Sequence, residues 1–193
     1  MPRPSAGLSD RALTGLDLTR RFGEVRFDGV VVPPNAALAG GWDVVERCLS
    51  VAAVLQAAES VGAADQLFAA TVDYAKKRVQ FGRPIGSFQA LKHRLADMLM
   101  ELEGMRAAAH YAALALCEGL PDAAEAVATA GAYVDDAFAH LCGEALQLHG
   151  GIGFTWEHDV HLFVRRAKVN QVLYGDGAWH RERLTCLFER EGG

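Results

Sequence analysis

Residues 147–159 read QLHGGIGFTWEHD. Glycines at 150, 151 and 153 interrupt a helical pattern, and His149, Glu157, His158 and Asp159 crowd around them, with His161 just beyond. These residue types admit a metal, a phosphate, a general acid or base, or a plain helix end. His158 and His161 share a helix face at i and i+3, but zinc on a helix needs a third ligand on that face. A di-iron bundle would repeat an ExxH pair on a second helix, and none recurs. No metal is therefore expected; Glu157 and Asp159 suit a helix N-terminus, and the histidines read as polar surface. Nucleophilic catalysis lacks its signature, because there is no GxSxG and the cysteines have no histidine partner nearby in sequence.

A phosphate fits better. Glycine lets a backbone approach a ligand closely and aim N–H groups at an anion, although glycine also serves as a helix C-cap. A second segment, RVQFGRP at 78–84, offers a guanidinium fork, a flat aromatic at Phe81 and a tight turn. Alone it also reads as a basic interhelical turn.

The elements that must position these residues are mostly helices. Residues 1–15 are polar and punctuated by Pro and Gly, and are expected to be mobile. Residues 16–32 read as two short strands, with Leu16, Leu18, Val25, Phe27 and Val30–Val32 as strand residues. Two strands alone are not stable in water, so residues 16–38 look like the edge of a larger sheet. From residue 39 the pattern is a helical bundle to the C-terminus. A long helix is expected at 42–78, with a stripe of Val45, Leu49, Ala52, Leu55, Val61, Ala64, Phe68 and Val72. A second runs from about 88 to 117 on Leu91, Leu95, Met98, Leu102, Met105, Ala109 and Ala112. Pro121 suits the first position of a third, about 121–149. Shorter helices follow at about 157–172 and 177–189. The expected fold is all-α, a four-helix up-down bundle with long helices plus a tail and a short N-terminal β remnant.

The 193 residues suffice for one sizeable core, and the net charge of -5 argues against nucleic acid as a partner. No apolar run reaches the ~18 residues of a membrane span, and MPRPSAGLSDRALTG lacks the apolar stretch of a signal peptide. Cys48, Cys117, Cys142 and Cys186 form no CxxC pair and sit among apolar residues, so they read as reduced core thiols of a cytoplasmic protein.

Three segments carry a family resemblance: YAKKRVQFGRPIGSFQALKHRLADM at 74–98, EALQLHGGIGFTWEHDVHLFVRRAK at 144–168, and LYGD at 173–176. Together, with their RxxFGxxxxxFQ and QxxGGxG patterns, they resemble the C-terminal helical domain of the acyl-CoA dehydrogenases over about residues 41–190. Residues 16–38 resemble the last strands of that family's middle β-domain. The resemblance implies an FAD enzyme that oxidises an acyl-CoA thioester at its α,β-carbons in lipid metabolism such as fatty-acid β-oxidation. It implies an electron-transfer flavoprotein as acceptor, and a homodimer or tetramer in which this domain reaches the neighbour's FAD. By position, Arg78, Gln80 and Phe81 would meet the diphosphate and adenine side of FAD. Gln89 falls on a flavin-contacting position, and Gln147, Gly150 and Gly151 would contact the adenosine and diphosphate end.

Two departures from the family stand out. Its N-terminal helical domain and most of its β-domain have no counterpart in this sequence, which suggests a partial chain or a subunit working with a partner. The usual base positions also lack a carboxylate. One matches Tyr174 and the other Ala52; alanine accepts no proton, and a tyrosine of ordinary pKa stays protonated at neutral pH. Asp176 and Glu46 lie near these positions as weaker candidates, with a helix N-cap as the other reading of Asp176. Some actinobacterial members pair unlike subunits, one of which lacks the base, and FGRPIGSFQ and FTWEHDVHL resemble that branch. A non-catalytic helical association subunit is the alternative.

Overall fold

The computed structural model describes residues 6–191. Two antiparallel strands, β1 (Leu8–Leu13) and β2 (Phe22–Phe27), pair in register from Leu8 opposite Phe27 to Leu13 opposite Phe22. The strands fall differently from the expectation. Leu8–Leu13 lies in the stretch read as mobile, while Leu16 and Leu18 fall in the connection and Val30–Val32 lie beyond the pair. Ladder bonds between backbones made the hairpin, and the polar side chains of LSDRAL concealed it from an apolar count. Residues 1–5, the start of the stretch expected to be mobile, lie outside the described residues.

Five helices follow: α1 (Gly41–Lys77), α2 (Gln89–Glu118), α3 (Ala123–His149), α4 (Val160–Asn170) and α5 (Gly177–Glu191). A tiny hairpin, β3 (Val79–Gln80) with β4 (Arg83–Pro84), joins α1 to α2. The short connections force α1, α2 and α3 to alternate up and down. α3 is the central element and packs against the other four helices. Its start falls two residues after Pro121, because Asp122 accepts the Ala126 N–H at 2.9 Å and so occupies the N-cap. α4 begins at Val160 because the residues before it fold as a turn, in which the His158 Nδ1 accepts the Val160 N–H at 3.3 Å.

The α2 stripe is buried as read from Met98 through Ala112. The α1 stripe is buried only in its second half, where Ala64 is in the core and Val61 and Phe68 pack against it. In the first half Val45, Leu49 and Leu55 are exposed, and the buried face is Val54, Gln56, Ala57 and Ser60. α1 is apolar on two sides, and periodicity finds a face without saying which side the bundle covers. The cysteine expectation also needs correction: Cys142 is buried, whereas Cys48, Cys117 and Cys186 are exposed, all four as free thiols. Burial pushes the Cys142 thiol far up, so it acts as a packing residue. No helix among the described residues is long and apolar enough to cross a membrane.

Candidate functional site

The candidate residues fall into two groups at opposite ends of α1. At its C-terminal end, the two-residue turn of Phe81 (φ 53°) and Gly82 (φ 76°) reverses the chain between β3 and β4. Positive φ at both central positions is the hairpin turn whose twist matches its strands. Phe81 is strained there and almost wholly exposed, at 93%. Phe88 braces the hairpin: its ring meets Phe81 edge-on at 6.2 Å and carries the Arg83 guanidinium at 4.1 Å. Arg78 is exposed and has no ion-pair partner among the described residues. Gln80 is exposed too, its amide bonded only to the neighbouring Val79 carbonyl at 2.7 Å. Gln89 opens α2 beside them and is exposed.

The glycine turn reaches the same end because α3 runs parallel to α1. The Tyr74 hydroxyl donates to the last carbonyl of α3, that of His149, at 3.2 Å. The two rings stack at 4.5 Å, and His158 meets His149 edge-on at 4.5 Å. His149 is buried; its Nδ1 lies 2.8 Å from the Ala145 carbonyl, so Nδ1 carries the proton. Burial holds its pKa below the ordinary histidine value, with His158 adding to the effect. This Tyr74–His149–His158 cluster was missed in the sequence, where Tyr74 lies far from the other two.

The glycines differ in what they need. Gly150 has φ 62° and ψ -143°, a backbone that side chains rarely adopt. A Cβ on Gly153 would press on the Leu146 carbonyl at 3.0 Å. Gly151 has neither constraint: a Cβ there would meet nothing within 4 Å, and its φ is not positive. The bundle itself does not require glycine at 151. Gln147, one turn earlier, is exposed. Among the described residues no group of three or more His, Cys, Asp or Glu is placed to hold a metal ion.

The second group lies at the other end, about 39 Å from Arg78 by a rise of ~1.5 Å per residue from Ala52. Tyr174 sits in a left-handed conformation, φ 57°, and lines a small cleft with Leu49, Ser50, Ala53, Trp179 and His180. The two base positions of the sequence reading are thus neighbours: Tyr174 faces the α1 turn that holds Ala52. Asp176 caps α5, its Oδ1 accepting the Trp179 N–H at 2.7 Å. Glu46 lies 3.5 Å from the Arg183 guanidinium. His180 is buried, with its pKa lowered first by burial and then by Arg183.

Between the ends runs a polar network. Asp17 is buried in the β1–β2 connection; it accepts the Thr19 N–H at 2.8 Å and the Thr19 hydroxyl at 2.7 Å, and pairs with Arg166. Burial alone would raise its pKa, but the Thr19 and Arg166 contacts outweigh burial and lower it. Arg166 and Arg20 both pair with Glu59 of α1. Deeper in, Gln56, Ser60, Asp135 and Asn170 bond to one another. A polar pair four apart on α1, at 56 and 60, was the available sequence signal.

Residues 39–185 match the family model described as acyl-CoA dehydrogenase, C-terminal domain. The chain is 41% identical over 172 residues to acyl-CoA dehydrogenase IpdE2 of Mycolicibacterium smegmatis, covering 89% of this chain and 50% of that protein. Butyryl-CoA dehydrogenase from Megasphaera elsdenii superposes with a TM-score of 0.90 at 28% identity, over 98% of this chain and 51% of that one. The ChsE4-ChsE5 complex from Mycobacterium tuberculosis superposes with a TM-score of 0.88 at 30% identity, over 96% of this chain and 50% of the matched chain. The chain thus spans about half the length of these relatives. The helical bundle from α1 to α5 is the C-terminal domain of this family, and the chain belongs to the acyl-CoA dehydrogenases.

Proposed function

We propose that the chain contributes to FAD-dependent α,β-dehydrogenation of an acyl-CoA thioester, as part of an assembly. The observation that carries this reading is Gly151. It is open and unconstrained by its own fold, beside a hairpin with exposed Arg78, Gln80 and Phe81. Gly62 and Gly143 are equally open within their helices, and what sets Gly151 apart is its place in the turn after α3, at the end of the bundle that carries the exposed hairpin; a ligand lying against that turn accounts for it. Arg78 supplies charge for a diphosphate, Gln80, Gln89 and Gln147 supply amide contacts, and the Gly150–Gly151 backbone admits the cofactor closely. When bound, FAD supplies the hydride acceptor.

The separation of the two ends implies that one chain's hairpin and the same chain's Tyr174 cleft serve different flavins. A two-fold assembly, of two copies or of unlike subunits, lets each chain offer one end to each site. Ala52 provides no proton acceptor, and the Asp176 and Glu46 carboxylates are engaged by the α5 N-cap and by Arg183. The α-proton therefore falls to a carboxylate of a partner chain, and Tyr174 acts as a wall of the acyl cleft. Electrons leave to an electron-transfer flavoprotein, and the assembly works in the cytoplasm.

The test is FAD binding by the purified chain and by its co-purified assembly, read from the visible spectrum and from released flavin per subunit. Gly151→Val is expected to cut FAD affinity at least tenfold with an unchanged melting curve. Equal binding by wild type and variant, or no FAD in either preparation, overturns the reading and leaves a helical association subunit.

A further inference from the structure

Gln56 lies one helical turn beyond Ala52 on α1 and is buried. Its Nε2 is 2.7 Å from Asp135 Oδ2, 2.9 Å from the Asn170 carbonyl and 3.4 Å from the Leu173 carbonyl. Two amide hydrogens thus serve three acceptors, one to the carboxylate and one shared by the carbonyls. The reversed amide would face its oxygen to all three, so the orientation is fixed. Gln56 Oε1 is left buried without a partner among the described residues. An unmade buried bond is costly, so an apolar side chain would pack better unless the amide hydrogens are needed.

Those hydrogens act on the turn that carries Tyr174. α4 ends at Asn170, and the chain turns at once, the Asn170 carbonyl accepting the Leu173 N–H at 3.2 Å. Gln56 reaches across from α1 to that carbonyl and to the Leu173 carbonyl within the turn. The turn they belong to is strained, with Tyr174 at φ 57° and Gly175 at φ 106° beneath the Trp179 ring. Asp135 anchors the amide from α3. Its other oxygen accepts the Ser60 hydroxyl at 2.7 Å, and Ser60 in turn accepts the Asn170 Nδ2 at 2.9 Å. Arg20 closes the chain on Asn170 Oδ1 at 3.0 Å.

We propose that Gln56, anchored by Asp135, is a positioning residue that clamps the 171–176 turn to α1 and so fixes where Tyr174 stands in the cleft. Its bearing on catalysis rests on the reading of that cleft as the acyl site; the clamp itself is measured without flavin or substrate.

Hydrogen–deuterium exchange of the full chain, read over residues 171–176, tests it. Gln56→Leu is expected to speed exchange there about tenfold or more while α2 and central α3 keep their protection. Gln56→Glu makes the clamp titratable. At high pH its carboxylate faces Asp135 with no donor, Asp136 nearby adds negative charge and Arg20 offsets part of it. As pH falls, one returning proton restores a donor, and protection of the turn recovers after correction for intrinsic exchange. Wild-type protection of the turn in Gln56→Leu, or a flat pH profile in Gln56→Glu, overturns the proposal. If Gln56→Leu loses protection throughout the chain, the Gln56→Glu profile decides. A failed FAD titration leaves these readouts untouched, so the two readings fail separately.

Discussion

Gly131 on α3 should be intolerant of even one methyl group, and the reason is a single neighbour. A Cβ built there lies 2.3 Å from His180 Nε2, 2.4 Å from Cε1 and 2.5 Å from Cδ2. Ordinary contact begins at 3.4 Å, so the ring would have to retreat by about 1 Å. His180 is buried on the first turn of α5, between α3 and the Tyr174 cleft, and has little room to move. In isolation Gly→Ala in a helix interior stabilises by about 1 kcal/mol. Overpacking costs about 1–3 kcal/mol, so Gly131→Ala should be net destabilising by up to ~2 kcal/mol in the wild type. Removing the ring should reverse the sign: in a His180→Ala background, Gly131→Ala is freed of its three shortest contacts and should stabilise by up to ~1 kcal/mol. Urea denaturation of the four proteins of this double-mutant cycle measures both effects. A Gly131→Ala midpoint above that of wild type, or the same effect in both backgrounds, would refute the account of this contact.

Three further outcomes are expected. His149 and His180 are both held below the ordinary histidine pKa, so below about pH 6.5 the unfolded chain binds protons that the folded rings refuse. Both rings should lower the melting temperature as pH drops from 7 to 5, and His180→Gln should remove part of that fall; the buried Asp135, raised by burial, works in the opposite sense, as does His140, raised by its bond to Glu101 but exposed and weak. Asp17→Ala removes the acceptor of Thr19 and Arg166 and should cost about 1.5–3 kcal/mol in urea unfolding, with faster amide exchange in β1 and β2. Trp42, Val45, Leu49 and Leu55 leave one face of α1 exposed and apolar, so light scattering at micromolar concentration should show self-association, and Leu55→Glu should weaken it; a wild-type monomer would contradict this.

The sequence by itself determined the helices and the family. The apolar stripe of α2 and the breaks at Gly119, Pro121 and Gly150 that bound α2 and α3 are local properties of the chain, and they located these helices to within a few residues. The RxxFGxxxxxFQ and QxxGGxG patterns were equally local. Only the tertiary structure decided what those patterns face. It turned Val45, Leu49 and Leu55 outward, because a helix apolar on two sides carries no mark of which side its neighbours will cover. It paired Leu8–Leu13 with Phe22–Phe27 through backbone bonds that side-chain composition does not record. It joined Tyr74 to His149, Gln56 to Asp135 and His180 to Gly131, pairs separated by dozens of residues, whose meeting depends on the register of helix against helix. It also set the hairpin and the Tyr174 cleft at opposite ends of α1, a consequence of helix length and direction that no motif contains.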